Sequence, residues 1–215
     1  MKRLALLTLA LLLACACLAA RAEIVGTTGT GDFIHRLQVP GGDPVFFVSS
    51  REAPEYHLED VNFDGQLDLV VQVELGASND WNEFFVRDGD QYVRADHPAS
   101  EYGVCRYTLL PERGWVESSS NDGFAGLMHT RALYRWEGTD LRLVRYAEAR
   151  YLPPDESGYP ESDAYDWVRC TVYAFPADAG EYRYEGEAVW EMDVRTDQVP
   201  DDLFDLEDTA FYPES

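Results

Sequence analysis

Short runs rich in apolar, β-branched and aromatic residues recur about every ten positions along this chain, with turn residues between them. Such a pattern predicts short β-strands, because those residues fit a pleated, half-buried surface. Strands are expected at Phe33–Val39, Val45–Val48, Leu69–Leu75, Trp81–Val86, Gln91–Arg94, Tyr107–Leu110, Gly114–Ser118, Leu133–Trp136, Leu141–Val144 and Trp167–Phe175. From Tyr182 to Val194 one face carries Tyr182, Tyr184, Trp190 and Met192, and the other carries Arg183, Glu185, Glu187 and Glu191. That is a half-buried strand with an acidic outer side, bent at Gly186. Asp88-Gly89 and Glu137-Gly138-Thr139-Asp140 mark two tight hairpins. Residues 23–31, rich in Gly and Thr, read as a loose lead-in, and 153–163 as a surface loop. Ser118–Gly126 reads as a polar loop bearing one aromatic, Phe124. Helical periodicity is confined to the N-terminus, so the expected class is all-β: an irregular, small β-propeller-like domain, or a β-sandwich.

The N-terminus changes the picture of where the chain works. Met1-Lys2-Arg3 is a basic n-region, and Leu4–Ala14 is an apolar core too short to span a bilayer. Ala20-Arg21-Ala22 fits a signal-peptidase site, which leaves a soluble chain beginning at Glu23. Leu12-Leu13-Ala14-Cys15 fits a lipobox, which would leave a lipid anchor on Cys15. Both exits imply export, to the periplasm or to the outer membrane as a lipoprotein. The expected organisation is a signal peptide over 1–22, one all-β domain over 23–195, and an acidic tail over 196–215.

Charge narrows the partners. The chain has 215 residues, with 17 Lys and Arg against 40 Asp and Glu, a net charge of −23. Loss of Lys2, Arg3 and Arg21 with the signal peptide makes the excess larger by three. A polyanion of this kind repels nucleic acid and anionic membranes and draws basic proteins. Cys105 and Cys170 alone would survive cleavage after Ala22. In an exported protein they suggest one disulfide, closing a loop of about 65 residues and contributing about 4 kcal/mol.

The chemistry concentrates in Asp60-Val61-Asn62-Phe63-Asp64-Gly65-Gln66-Leu67-Asp68. Oxygen-bearing side chains fall at positions one, three, five and nine, with glycine at six for the sharp turn. Calcium takes six to eight oxygens, so Asp60, Asn62, Asp64, the Gln66 carbonyl and Asp68 form a candidate calcium loop. An EF-hand would put Glu at position twelve, where this chain has Val71, so Asp68 has to take that role. The β-branched run after Asp68 places the loop between strands rather than helices. A plain Asp/Asn/Gly turn is the metal-free alternative.

Glu59–Leu69, read as EDVNFDGQLDL, resembles the signature of small bacterial periplasmic proteins related to FG-GAP and integrin-type β-propeller repeats. Strand and hairpin order is loosely similar over residues 33–146. Some members of that family are immunity proteins that inhibit lysozyme-like effectors delivered by antibacterial type IV secretion. The resemblance implies a calcium-stabilised inhibitor whose partner is a basic, lysozyme-like peptidoglycan hydrolase. A rigid segment would enter the enzyme's cleft, and Ser119, Asn121, Asp122 and Phe124 are the candidates for it. The alternative is an envelope module that binds a protein or glycan without inhibiting anything.

Catalysis by this chain is not expected. His35, His57, His97 and His129 have no metal-binding spacing, and no Gly-x-Ser-x-Gly, phosphate-binding loop or His-Glu-x-x-His occurs. Carboxylate pairs carry no signal in a chain with 40 acids.

Overall fold

The computed structural model describes residues 22–39, 42–97, 103–123, 128–152, 165–174 and 183–193. Among them there are fourteen strands and no helix. The first sheet is β1 (Glu23–Thr27), β2 (Phe33–Gln38) and β3 (Pro44–Ser49), side by side in chain order. The second runs β4 (Glu55–Glu59), β5 (Asp68–Leu75), β6 (Asp80–Asp88) and β7 (Gln91–Arg94), with β8 (Val104–Cys105) also paired to β6. The third is β9 (Thr108–Leu110), β10 (Trp115–Gly123), β11 (Met128–Glu137), β12 (Asp140–Leu152), β13 (Tyr165–Ala174) and β14 (Arg183–Asp193). Every pairing is antiparallel, and no sheet closes into a barrel. The fold is all-β and sandwich-like. Sheets of three, five and six strands are not a set of equal propeller blades.

The middle sheet is covered on both faces, which explains its sequence. Leu69, Val71, Val73 and Phe85 pack on Leu37, Val39, Val45 and Phe47 of the first sheet. Val70, Phe84 and Val86 turn the other way, onto Val116, Ala132, Tyr134 and Leu141 of the third. A strand buried on both sides loses its alternation, so Leu69-Val70-Val71 and Phe84-Phe85-Val86 are unbroken apolar runs. Each such side chain contributes about 1.5–3 kcal/mol by leaving water. Removing the ring of Phe84, which is fully buried, would cost about 3–5 kcal/mol.

Side chains stitch the layers where the ladders stop. A register shift between Gln72 and Glu74 takes the Val73 carbonyl out of the β5–β6 ladder. It accepts instead from Ser49 Oγ at 2.6 Å and from the Ser50 main-chain N–H at 3.2 Å. Between the second and third sheets, the Cys105 main-chain N–H donates to Ser118 Oγ at 3.1 Å. The same hydroxyl donates to the Cys105 carbonyl at 2.8 Å.

Three sequence expectations are corrected. Residues 23–27 are a strand and not a lead-in, because Glu23 to Thr27 pair with β2. Ser118–Gly123 belongs to β10 and not to a polar loop. The buried residues of this stretch, Ser118 and Ser120, bond their hydroxyls to Cys105 and to Thr130, which removes the cost of placing them in a strand. The Cys105–Cys170 disulfide is absent: Cys105 is a buried free thiol. Cys105 lies against β10, whereas Cys170 lies on β13, three strands further across the sheet. Three strand spacings are about 14 Å, and a disulfide spans less than about 7 Å between Cα atoms. Cys15, the 1–21 part of the signal peptide, Phe124, the 153–163 loop and the 196–215 tail lie outside the described residues.

Candidate metal centre

The Asp60–Asp68 segment joins β4 to β5 and curls back on itself. Two residues take the left-handed backbone that makes the curl: Gly65, at a φ of 85°, and Phe63, at 64°. Glycine adopts it freely, whereas a bulky side chain adopts it only when neighbouring bonds hold it there. Those bonds come from the acidic side chains. The Asp64 main-chain N–H donates to Asp60 Oδ1 at 3.0 Å and to Asn62 Oδ1 at 3.1 Å. The Gly65 N–H donates to Asp60 Oδ2 at 2.9 Å, and the Gln66 N–H to Asp64 Oδ1 at 2.8 Å. Asn62 Nδ2 closes the ring by donating to Asp64 Oδ2 at 3.0 Å.

Asp68 differs from the other two. It has no exposed surface, whereas Asp64 is exposed and Asp60 only half-buried. Its Oδ2 accepts the Val61 N–H at 3.1 Å, and its Oδ1 accepts the Arg87 main-chain N–H at 2.8 Å. Burial raises the Asp68 pKa, and the nearby Asp64 charge adds to the rise, against the lowering effect of the amide donors. Asp64 moves the other way: the Gln66 amide holds its carboxyl below the ordinary aspartate value. The loop therefore combines an ionised carboxylate at its tip with a second, buried one that lacks a cationic partner among the described residues.

The donor set is oxygen throughout, and that fits a hard divalent cation rather than zinc. Among the described residues, no three His, Cys, Asp or Glu side chains are gathered into a metal-holding group. Asn62 and the Gln66 main-chain oxygen would thus have to complete a shell begun by the aspartates. All five residues lie between the end of β4 and the first residue of β5.

Two aromatic residues that sequence reading did not assign to the site also touch it. Trp136 Nε1–H donates to the Val61 main-chain oxygen at 2.7 Å. Tyr107 O–H donates to Glu59 Oε2 at 2.6 Å. With its proton committed to Glu59, the phenol accepts from His57 Nε2 at 3.0 Å. Burial and the Glu59 carboxylate push the Tyr107 pKa well above the ordinary phenol value.

The residues expected to meet a partner sit elsewhere. Ser119 and Asn121 pair with Arg131 and His129 in the β10–β11 ladder. Asn79, between β5 and β6, grips the Asn121 main chain twice: its Oδ1 accepts the N–H at 2.8 Å, and its Nδ2 donates to the carbonyl at 3.1 Å. Asp122 is exposed and accepts from Ser120 Oγ at 2.9 Å. Ser119, Asn121 and Asp122 thus form a fixed polar strand end, outside the Asp60–Asp68 loop.

No family model matches the chain, and no curated protein matches it. One solved structure, described as a Xanthomonas type IV secretion system related protein, is similar to it. The two are 13% identical, the match covers 77% of this chain and 87% of that one, and the TM-score is 0.47. No helix among the described residues is long and apolar enough to cross a membrane.

Proposed function

We propose that this chain is an exported, calcium-stabilised inhibitor of a basic, lysozyme-like peptidoglycan hydrolase. The observation that carries the calcium half is Asp68, a fully buried carboxylate held only by main-chain N–H groups, within one loop of Asp60 and Asp64. A bound calcium supplies the positive charge that such a set lacks. Asp60, Asn62, Asp64, the Gln66 carbonyl and Asp68 hold it, and its role is to fix the loop rather than to touch a substrate.

The inhibitory half rests on charge and on the resemblance of Glu59–Leu69. A net charge of −23 steers the chain toward a basic enzyme and speeds encounter at low salt. The strand end bearing Ser119, Asn121 and Asp122 is held in place by Asn79, so little ordering entropy is lost when it docks. Phe124, next in the chain, is the proposed anchor. The chain itself performs no catalysis in this reading.

The test is lysis of purified peptidoglycan by a panel of basic lysozyme-like hydrolases, with and without the mature chain, in calcium. Saturable inhibition near an equimolar ratio, weakened by Phe124→Ala, is the expected result. Uninhibited lysis across the panel, with no complex on size-exclusion chromatography, would count against it.

A further inference from the structure

The metal loop is held at both flanks of its first residue by one aromatic group. The Phe84 ring, in the core between the second and third sheets, meets Tyr107 edge-on at 5.0 Å and Trp136 at 6.1 Å. Each of those two neighbours aims its polar atom at the loop. Trp136, on β11, bonds the Val61 oxygen, and Tyr107, between β8 and β9, bonds the Glu59 carboxylate. Glu59 precedes Asp60 and Val61 follows it, so the two bonds bracket the first candidate ligand. Both donors lie 48 or more residues away in the chain.

We propose that Trp136 and Tyr107 are positioning residues for the cation: one holds the Val61 main chain and the other the Glu59 side chain, either side of Asp60, in the curl that aims the Asp60 carboxylate into the loop. The inference rests on the calcium reading of Asp60–Asp68. Val61 is fully buried, and its carbonyl takes the indole N–H from the third sheet. Without that donor the carbonyl is left unsatisfied, and the flank relieves the cost by moving toward water. A loop that occupies its binding-competent shape for only part of the time binds its cation more weakly by that fraction. Affinity for the cation therefore depends on these two bonds from outside the loop. By linkage, the bound cation strengthens them in return.

Calorimetric titration of the metal-stripped chain with calcium chloride tests this. Four proteins are compared: the unsubstituted chain, Trp136→Phe, Tyr107→Phe and Val116→Ala. Trp136→Phe is expected to weaken binding by about tenfold or more, as losses of outer support for metal ligands do. Tyr107→Phe removes one hydroxyl and keeps the ring against Phe84, so it is expected to fold normally and to weaken binding by a smaller factor. Val116→Ala loosens the same core but bonds neither flank, and its affinity should be unchanged. If Trp136→Phe does not fold, Tyr107→Phe decides. Unchanged affinity in the aromatic variants would overturn the inference, and so would an equal loss in Val116→Ala, which would mark a general packing effect. An unsubstituted chain that binds no calcium would overturn the loop reading itself, and this inference with it.

Discussion

Asp68 is joined to Arg87 through the arginine's main-chain N–H, at 2.8 Å, and not through its guanidinium. The Arg87 Nε instead donates to the Gly89 carbonyl at 3.1 Å. The most buried acid of the Asp60–Asp68 loop is thus held by amide dipoles alone, and both of its oxygens are acceptors. Asp68→Asn would place an NH2 group against either the Arg87 or the Val61 N–H. The expected cost is about 1–3 kcal/mol, that of a buried donor left unsatisfied. Urea unfolding in chelator measures it, and an unchanged midpoint would refute the assignment.

The same carboxyl sets a pH dependence. Burial raises its folded pKa above the ordinary 3.8. A group raised in this way contributes stability that is fully present below the unfolded value and is lost as pH rises through the folded one. In chelator, the Asp68 share of stability is therefore expected to fall from pH 3.8 upward. Calcium favours the ionised form and should reverse the slope. Urea midpoints across that range, taken as the difference between the unsubstituted chain and Asp68→Asn, isolate the group. A difference that does not vary with pH would contradict the burial argument.

Cys105 should be inert in the folded chain. Burial pushes its pKa up to about 12, with the Asp80 charge adding to the rise, so almost no thiolate is present at neutral pH. Peptide mapping after iodoacetamide treatment should find Cys105 unmodified in buffer and modified in urea. Rapid labelling of the native chain would contradict the burial, and no labelling in urea without reductant would contradict the free-thiol assignment.

Glu83 and Arg94 offer a test away from the loop. Glu83 is buried, and Arg94 Nε and an Arg94 terminal nitrogen donate to its two oxygens at 3.0 and 2.6 Å. Arg94→Ala leaves the carboxylate without its charged donors, and the expected loss is about 2 kcal/mol, within the range for charge-assisted bonds. Because the Arg94 side chain is 53% exposed, water recovers part of the loss, and a deficit much larger than this would mean that the pair does more than satisfy Glu83.

The fold was legible where burial writes a pattern. Leu69-Val70-Val71 and Phe84-Phe85-Val86 declared strands because both their faces are covered, and Gly89 and Gly138 declared hairpins because those turns need their backbone freedom. Residues 23–27 were unreadable, since Gly and Thr at a sheet edge look like linker. Ser118–Gly123 reads as a turn because Ser, Asn and Asp are turn formers, and only the distant Cys105, Thr130 and Asn79 make them tolerable in a strand. The candidate ligands could be read as a set because all five lie within nine residues. Tyr107 and Trp136 could not, because a bond across 48 or 75 residues leaves no local spacing to read. The disulfide failed for the converse reason: two cysteines in an exported chain invite pairing, and only sheet order shows that they are strands apart.

The most direct measurement is the melting temperature of the mature chain in calcium and in chelator, beside that of Asp64→Ala. The account expects calcium to raise the melting temperature of the unsubstituted chain and to leave that of Asp64→Ala where chelator puts it. Equal melting temperatures for the unsubstituted chain in calcium and in chelator would contradict a calcium loop at Asp60–Asp68.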